Sequence, residues 1–474
     1  MLNITQNDYN IVKQRNVERY IKINLLDFQY RIVDEISGNM TACSIQCDAE
    51  SDLRRSCNVG LVVTDSSFDV TPGGKIYLDK MIQVYVGVKN IYTDEIQWYN
   101  QGIFLIDVPT WQYDATNNTL SFSGLDLMSK LTGARNGQLE GIPTVIKKGE
   151  SVREAMIAIV QLGGFTKYIV SECQNRDGSI QAVPYDIEID QGGFVYDILT
   201  KLRDILPQYQ IYFDVDGVFH YELIPSGEDN PVLIDDDLWD SVLVSENINT
   251  DFASVKNYIE VYGRTHDPEY YPSAISVSGA VVTMTIAKLT KLNEYDIIGF
   301  TPNSVVSGNV QLAVNSFGAK DLVDSNGAHI TSLQNNVYYI AQYQANGTWL
   351  FLGHQQAKAI WKDENPDSPF YVNGPVGVIR EVLCGGDYDN ITSDALALER
   401  AKLEIYWKCR LNDSITLNTV PIPWLDVNIV ISHATKNSTT QNRYIIKSYS
   451  VDYGSVTSTM SISMISFYPY YPIY

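Results

Sequence analysis

The sequence lacks the features that announce chemistry most directly. Its five histidines, His220, His266, His329, His354 and His433, stand far apart, and none forms the His-x-x-x-His or His-Glu-x-x-His spacing of a helix-borne zinc site. No Gly-x-x-x-x-Gly-Lys-Ser/Thr loop occurs, which removes the usual cradle for nucleotide phosphates. The six cysteines, Cys43, Cys47, Cys57, Cys173, Cys384 and Cys409, are scattered. Cys43 and Cys47 have no second close pair to complete a zinc site, and the set reads as free buried thiols of a protein made in a reducing cytoplasm. No apolar run approaches the roughly 18 residues of a membrane span, and the first residues, Met1-Leu2-Asn3-Ile4-Thr5-Gln6, lack the pattern of a signal peptide. Basic residues are scarce: 34 Lys and Arg against 56 Asp and Glu leave a net charge of −22. Gripping a phosphate backbone depends on Lys and Arg displacing counterions, so the chain is a poor candidate for it, while a surface past which nucleic acid slides is compatible. The longest acidic run, Asp235-Asp236-Asp237, reads as a solvated loop at the start of a helix or turn.

Tyrosine is abundant by contrast, at 32 against 14 Phe and 7 Trp. Tyr covers apolar area while its hydroxyl stays hydrated, which suits strand surfaces and subunit contacts. Hydrophobic residues make up 45% of 474 residues, ample for sizeable cores, and the length implies about three or four domains.

Short strands are expected at 20–27, 60–64, 76–78, 82–87, 102–106 and 119–123, separated by turns such as Thr71-Pro72-Gly73-Gly74 and Asn117-Asn118. The pattern suggests a sandwich or barrel. Residues 140–230 read as α+β. Ser151-Val152-Arg153-Glu154 is a capping box opening a helix that Gly163-Gly164 stops. A second helix is expected from about 194 to 206, ended by Pro207. Asp216-Gly217 between two β-rich runs marks a hairpin. Strands return near 258–263, a small β unit occupies roughly 273–360, and Ser393 caps a helix over about 393–409 before a final β section. The resulting division is 1–135, a first β-barrel domain; 136–238, an α+β middle domain; 239–272 with 361–474, a second β-barrel domain with a helix; and 273–360, an inserted small β module.

The order of segments resembles the hub proteins of phage tails: the late control protein D family, baseplate hubs of contractile phages, and their counterparts at siphophage tail tips. Four stretches carry the resemblance. They are the double-arginine turn Ser51-Asp52-Leu53-Arg54-Arg55-Ser56-Cys57; Leu120-Ser121-Phe122-Ser123-Gly124-Leu125-Asp126; Tyr209-Gln210-Ile211-Tyr212-Phe213-Asp214-Val215-Asp216-Gly217; and a C-terminal block closing on Thr459-Met460-Ser461-Ile462-Ser463-Met464. The resemblance implies a mainly β fold with α+β parts: two β-barrels related to tail-tube subunits, joined by α+β domains, with three chains closing a pseudo-sixfold ring around a channel. It implies a structural virion protein of the tail tip or baseplate, assembled in the host bacterial cytoplasm as a homotrimer. Its partners would be distal tail, tail-tube and tape measure proteins, with genome DNA passing without specific binding through an acidic or neutral lumen. The inserted unit, with Gln311-Leu312-Ala313-Val314 and Trp349-Leu350-Phe351-Leu352-Gly353, resembles a compact module of tail and fibre proteins, departing from it at Ser316-Phe317.

No catalytic, cofactor-binding or metal-binding residue is assigned, and no cofactor is expected. His220 reads as a strand residue. Asp214-Val215-Asp216-Gly217 begins like a calcium loop but lacks the twelfth-position glutamate and reads as a turn. Gly385-Gly386-Asp387 with Asp389 reads as a loop before a helix. Two other functions stay open: a host-surface carbohydrate-binding adsorption protein, and a tail-associated cell-wall hydrolase. The latter needs two carboxylates facing a sugar cleft, and no pair among the 56 acidic residues is privileged.

Overall fold

The computed structural model describes residues 4–466, apart from 15–16, 39, 140–143, 174–180, 184–185, 190, 207–208, 226–235, 267, 325–326, 392, 410–411, 438–439 and 455–457. Pro207 and Asp235 therefore lie outside the described residues. Among the described residues, no helix is long and apolar enough to cross a membrane. The chain divides into two compact units, Met1–Asp251 with Asn412–Ile473, and Phe252–Leu411.

A twelve-stranded sheet dominates the first unit. Its strands in chain order are β1 (Arg19–Leu26), β2 (Ile32–Ser37), β3 (Met40–Asp48), β4 (Arg55–Val62), β5 (Met81–Lys89), β6 (Ile96–Tyr113), β7 (Asn118–Asp126), β8 (Leu243–Asp251), β9 (Asn412–Thr419), β10 (Val430–His433), β11 (Asn442–Asp452) and β12 (Met460–Ser466). They lie in the order β8-β9-β12-β11-β3-β4-β7-β6-β5-β1-β2, with β10 paired to β11. Strict alternation sets the faces. In β4, Cys57, Val59 and Leu61 are buried while Asn58 and Val62 are exposed; in β12, Met460, Ile462 and Met464 are buried. Each such side chain contributes about 1.5–3 kcal/mol by leaving water, so a one-residue slip would turn a whole apolar row outward. The helices α1 (Gln6–Val12) and α4 (Asp236–Val242) place Ile11, Val12, Leu238 and Trp239 in the same core.

Two separately closed barrels are not what this chain forms. Strands from the N-terminal and C-terminal sections share one hydrogen-bonded path, joined where β11 meets β3 with Tyr449 opposite Cys47 and Val451 opposite Ile45. Both sections also share one apolar core. Neither section closes on itself, because β8 and β2 end the path. Alternation reveals which face of a strand is apolar but not which strand lies beside it. The strand expected at 76–78 is also absent: Ile76 is buried in the core from an irregular loop.

The middle section packs α2 (Val152–Leu162) and α3 (Val195–Ile205) over a three-stranded sheet of Tyr168–Val170, Tyr209–Phe213 and Phe219–Leu223. The Ser151 hydroxyl accepts from Glu154 N, while the Glu154 carboxylate pairs with Arg153, so one half of the expected capping box forms. The Asp216-Gly217 hairpin closes with Phe213 opposite Phe219, and Gly217 takes φ +72°, the left-handed region glycine enters without strain.

In the second unit, a three-stranded sheet sets Tyr258–Thr265 between Gln356–Lys362 and Arg380–Cys384. It carries α5 (Asp394–Lys408), whose Ala397 and Ala401 pack on Ile259 and Val261. Ser393 caps that helix through Leu396 N. A seven-stranded sheet spanning Ala274–Gly353 forms its own core around Trp349. The His266 amide donates to the Gln355 carbonyl at 2.7 Å, so both ends of this module emerge side by side.

Candidate assembly surface

The double-arginine turn links β3 to β4 and is an internal clamp. Arg55 is 2% exposed. Its Nη1 donates to the Phe213 carbonyl at 2.8 Å, its Nη2 pairs with the Asp426 carboxylate, and its backbone N–H donates to Asp126 Oδ2 at 3.2 Å. Burial works against the Arg55 charge, but Asp426 beside it holds the guanidinium protonated. Burial likewise raises the pKa of Asp126. Arg54 lies 3.9 Å over the Tyr212 ring and donates to Gln210 Oε1, which also accepts from Asn428. Tyr212 stacks on His220 at 4.9 Å, and His220 stands between Asp214 Oδ2 at 3.0 Å and Glu222 Oε2 at 3.4 Å. The column Arg54–Tyr212–His220 thus places one ring between two cations. From the same turn, Asp52 accepts from the Tyr196 hydroxyl at 2.6 Å. The clamp fastens the middle section and the Asp426–Asn428 loop to the sheet.

The arginines and Gln210 lay in stretches that the sequence singles out, but nothing in the sequence pointed to their being partners of one another or of Asp426. Other groups singled out earlier are engaged locally. Asp214 Oδ1 accepts from the amides of Asp216 and Val218, which closes the turn. His354 pairs with Asp394 at 2.7 Å, and His433 with Glu246 at 3.0 Å while meeting Trp239 edge-on. The side chain of Asp387 lies outside the described residues. Among the described residues, no group of three or more His, Cys, Asp and Glu is placed to hold a metal ion.

Two edges of the large sheet have a different character. Among the described residues, β8 is a terminal strand bonded only to β9. β6 is bonded to β5 along Ile96–Leu105 and to β7 along Phe104–Tyr113, so its last turn of sheet has one neighbour. Val108, at φ +41°, bends it there beside Pro109. Edges of this kind are templates for another strand. On β8, Ile248 and Glu246 face the core residues Ile415 and Leu417, while Val244 sits at a bulge between Leu243 and Ser245 and is 63% exposed. On β6, Trp111 and Tyr113 also take the core side, Trp111 facing Leu120, yet they are 62% and 68% exposed. They stack on each other at 6.2 Å.

The strand order contains a repeat. β3, β4, β6 and β7 lie in the order β3-β4-β7-β6; β8, β9, β11 and β12 lie in the order β8-β9-β12-β11. In each set the first, second, fourth and third strands succeed one another. The seam β11–β3 therefore joins the third strand of one set to the first strand of the other. At that seam the core-side residues Tyr449 and Val451 are 6% and 3% exposed. On the corresponding strand of the other set, β6, the core-side residues beyond its pairing with β5 include Trp111 and Tyr113.

Comparison with known proteins bears on the fold. Residues 367–471 match the family model of a domain of unknown function, DUF5048. No curated protein matches the sequence. Among solved structures, the tail protein from Neisseria meningitidis MC58 aligns with a TM-score of 0.50 and 9% identity, over 94% of this chain and 96% of that one. The 43 kDa tail protein of prophage MuSo2 from Shewanella oneidensis aligns with a TM-score of 0.50 and 10% identity, over 94% and 98%. The chain has the mainly β fold of phage tail proteins, and the resemblance drawn from its segment order holds at the level of that fold.

Proposed function

We propose that the chain is a structural, non-catalytic subunit of a phage tail tip or baseplate: a hub that closes as a homotrimeric ring around a channel. The observation that carries this reading is the exposure of Trp111 and Tyr113 where β6 runs past β5, while the core-side residues Tyr449 and Val451 of the internal seam are buried. Setting β6 of one copy against β8 of the next repeats the β11–β3 seam between chains. Such a head-to-tail contact closes into a ring when its rotation divides a circle. Two four-strand sets per chain make three chains a pseudo-sixfold wall, and the two tail-tube-like barrels expected from the sequence become its half-barrels. Distal tail, tail-tube and tape measure proteins are the partners such a ring would meet, in the virion, with genome DNA as its transient cargo.

The test is the mass of the purified chain at micromolar concentration and its place in the particle. A species of three times 53.3 kDa, and the chain recovered in purified tails, are expected. A chain absent from tails would sink the reading.

A further inference from the structure

The three-stranded sheet of the second unit is covered on one face only. Ile259 and Val261 point to α5, where Ala397 and Ala401 meet them. The residues that alternate with them point the other way, and the strand registers set these out as a grid of three rows. Lys362, Tyr258 and Arg380 form the first row, Ile360, Glu260 and Val382 the second, and Lys358, Tyr262 and Cys384 the third. Among the described residues no element covers this grid: Ile360 is 49% exposed and Val382 47%. The loop leading into the third strand adds Val376 and Val378, both exposed, just before Arg380. Asn257, fully buried, holds that loop in place: its side chain donates to the Phe370 and Gly377 carbonyls and accepts from the Ile379 amide.

Glu260, at the centre of the grid, is 4% exposed although its row neighbours are open. Arg380 Nη2 pairs with it at 2.5 Å, and the Tyr262 hydroxyl donates to it at 3.2 Å. Its charge is used within the sheet, and cations stand at three corners: Lys358, Lys362 and Arg380. Lys362 also pairs with Glu364 at 2.8 Å, an exposed contact that a partner's carboxylate can replace at little cost. An apolar centre, tyrosines and arginine, and a charged rim are the anatomy of a protein interface. A sugar or a phosphate backbone would leave Ile360 and Val382 without apolar cover. Three strands about 4.8 Å apart make a strip about 10 Å wide, the diameter of one helix. Carboxylates are what these corners select, in a chain whose own charge is −22.

Resting on the reading of the chain as a tail subunit, we propose that this open face docks an amphipathic helix of another tail protein. Its apolar stripe lies on Ile360 and Val382, and its carboxylates meet Lys358, Lys362 and Arg380. The helix completes a layer that α5 supplies on the opposite face of the same sheet.

Cys384, at the fourth corner, reports occupancy of the face without any substitution. It is exposed, whereas Cys43, Cys47, Cys57 and Cys173 are buried and burial pushes the Cys409 thiol up to about 12. A maleimide should therefore modify Cys384 first in the free chain. In purified tails its reaction, read by peptide mass spectrometry, is expected to be about ten-fold slower. Unchanged reactivity in tails that contain the chain overturns the docking site and leaves the hub reading intact. Ile360→benzoylphenylalanine, activated by light in the same tails, identifies the occupant. A crosslink to a helix of another tail protein, with carboxylates beside its apolar stripe, is expected. A crosslink to a second copy of this chain, or to a segment without carboxylates, overturns the proposal. Lys358→Glu with Lys362→Glu should weaken the crosslink about ten-fold, with the mass of the oligomer unchanged, and Lys→Arg at both positions should preserve it. An undiminished crosslink in the glutamate variant, or an equal loss in the arginine variant, also overturns it. A chain absent from tails overturns this docking and the hub reading together.

Discussion

At the scale of single residues, the double-arginine turn is where three parts of the first unit depend on one side chain. Arg55→Ala would leave the Asp426 carboxylate without its partner and the Phe213 carbonyl without a donor. Breaking such a pair is expected to lower stability by about 3 kcal/mol, read as a shift in the urea midpoint without change of fold. A loss below about 0.5 kcal/mol would show that the clamp is not needed. His220 makes the neighbouring column sensitive to pH. Burial opposes its charge, but the carboxylates of Asp214 and Glu222 overcome this and push its pKa up to about 9. The unfolded value is about 6.5, so the folded state binds the proton more tightly. Its contribution is complete below about 6.5 and is lost as pH rises through about 9. Urea midpoints should therefore fall over that window in the natural chain and fall less in His220→Asn. Parallel curves would remove His220 as the cause.

Elements were legible in the sequence where local chemistry alone decides them. Ser393 and Ser151 start helices, and Asp216-Gly217 turns a hairpin, because a cap or a left-handed residue acts within four positions of itself. The neighbour of each strand was not legible. The β11–β3 seam joins residues some 400 positions apart, and its register follows from matching apolar faces that many other strands also possess. The same limit hid the free edges, since Trp111 and Tyr113 read as ordinary strand aromatics until the strand beside them proved absent. Their proposed burial between copies gives a direct prediction. Trp111→Ala should weaken trimer association by about 2 kcal/mol per contact, as a buried aromatic anchor does, while circular dichroism stays unchanged. Sedimentation over a concentration series checks it; an undisturbed trimer would place the interface elsewhere.

For the whole molecule, the inserted module offers the clearest test of organisation. Its two ends meet at the His266–Gln355 hydrogen bond, and its core around Trp349 is its own. Replacing residues 269–353 with a short Gly/Ser linker should leave the oligomer unchanged in mass photometry, since joined ends this close need little chain to span them. The excision stops before Gln356 because Gln356–Lys362 pairs with Tyr258–Thr265; the boundary at 360 expected from composition would cut that strand. Collapse to monomer would make the module part of the ring. The sequence by itself determined the mainly β character, the caps, the hairpin and the poverty in cations, because these depend on composition and on residues near one another along the chain. Only the tertiary structure decided that the two β sections share one open sheet, that Arg55 is bound to Asp426, and that Trp111 and Tyr113 stand exposed where β6 runs past β5. Each of these depends on which distant strands become neighbours, a choice made by the joint burial of a whole core and written in no single segment.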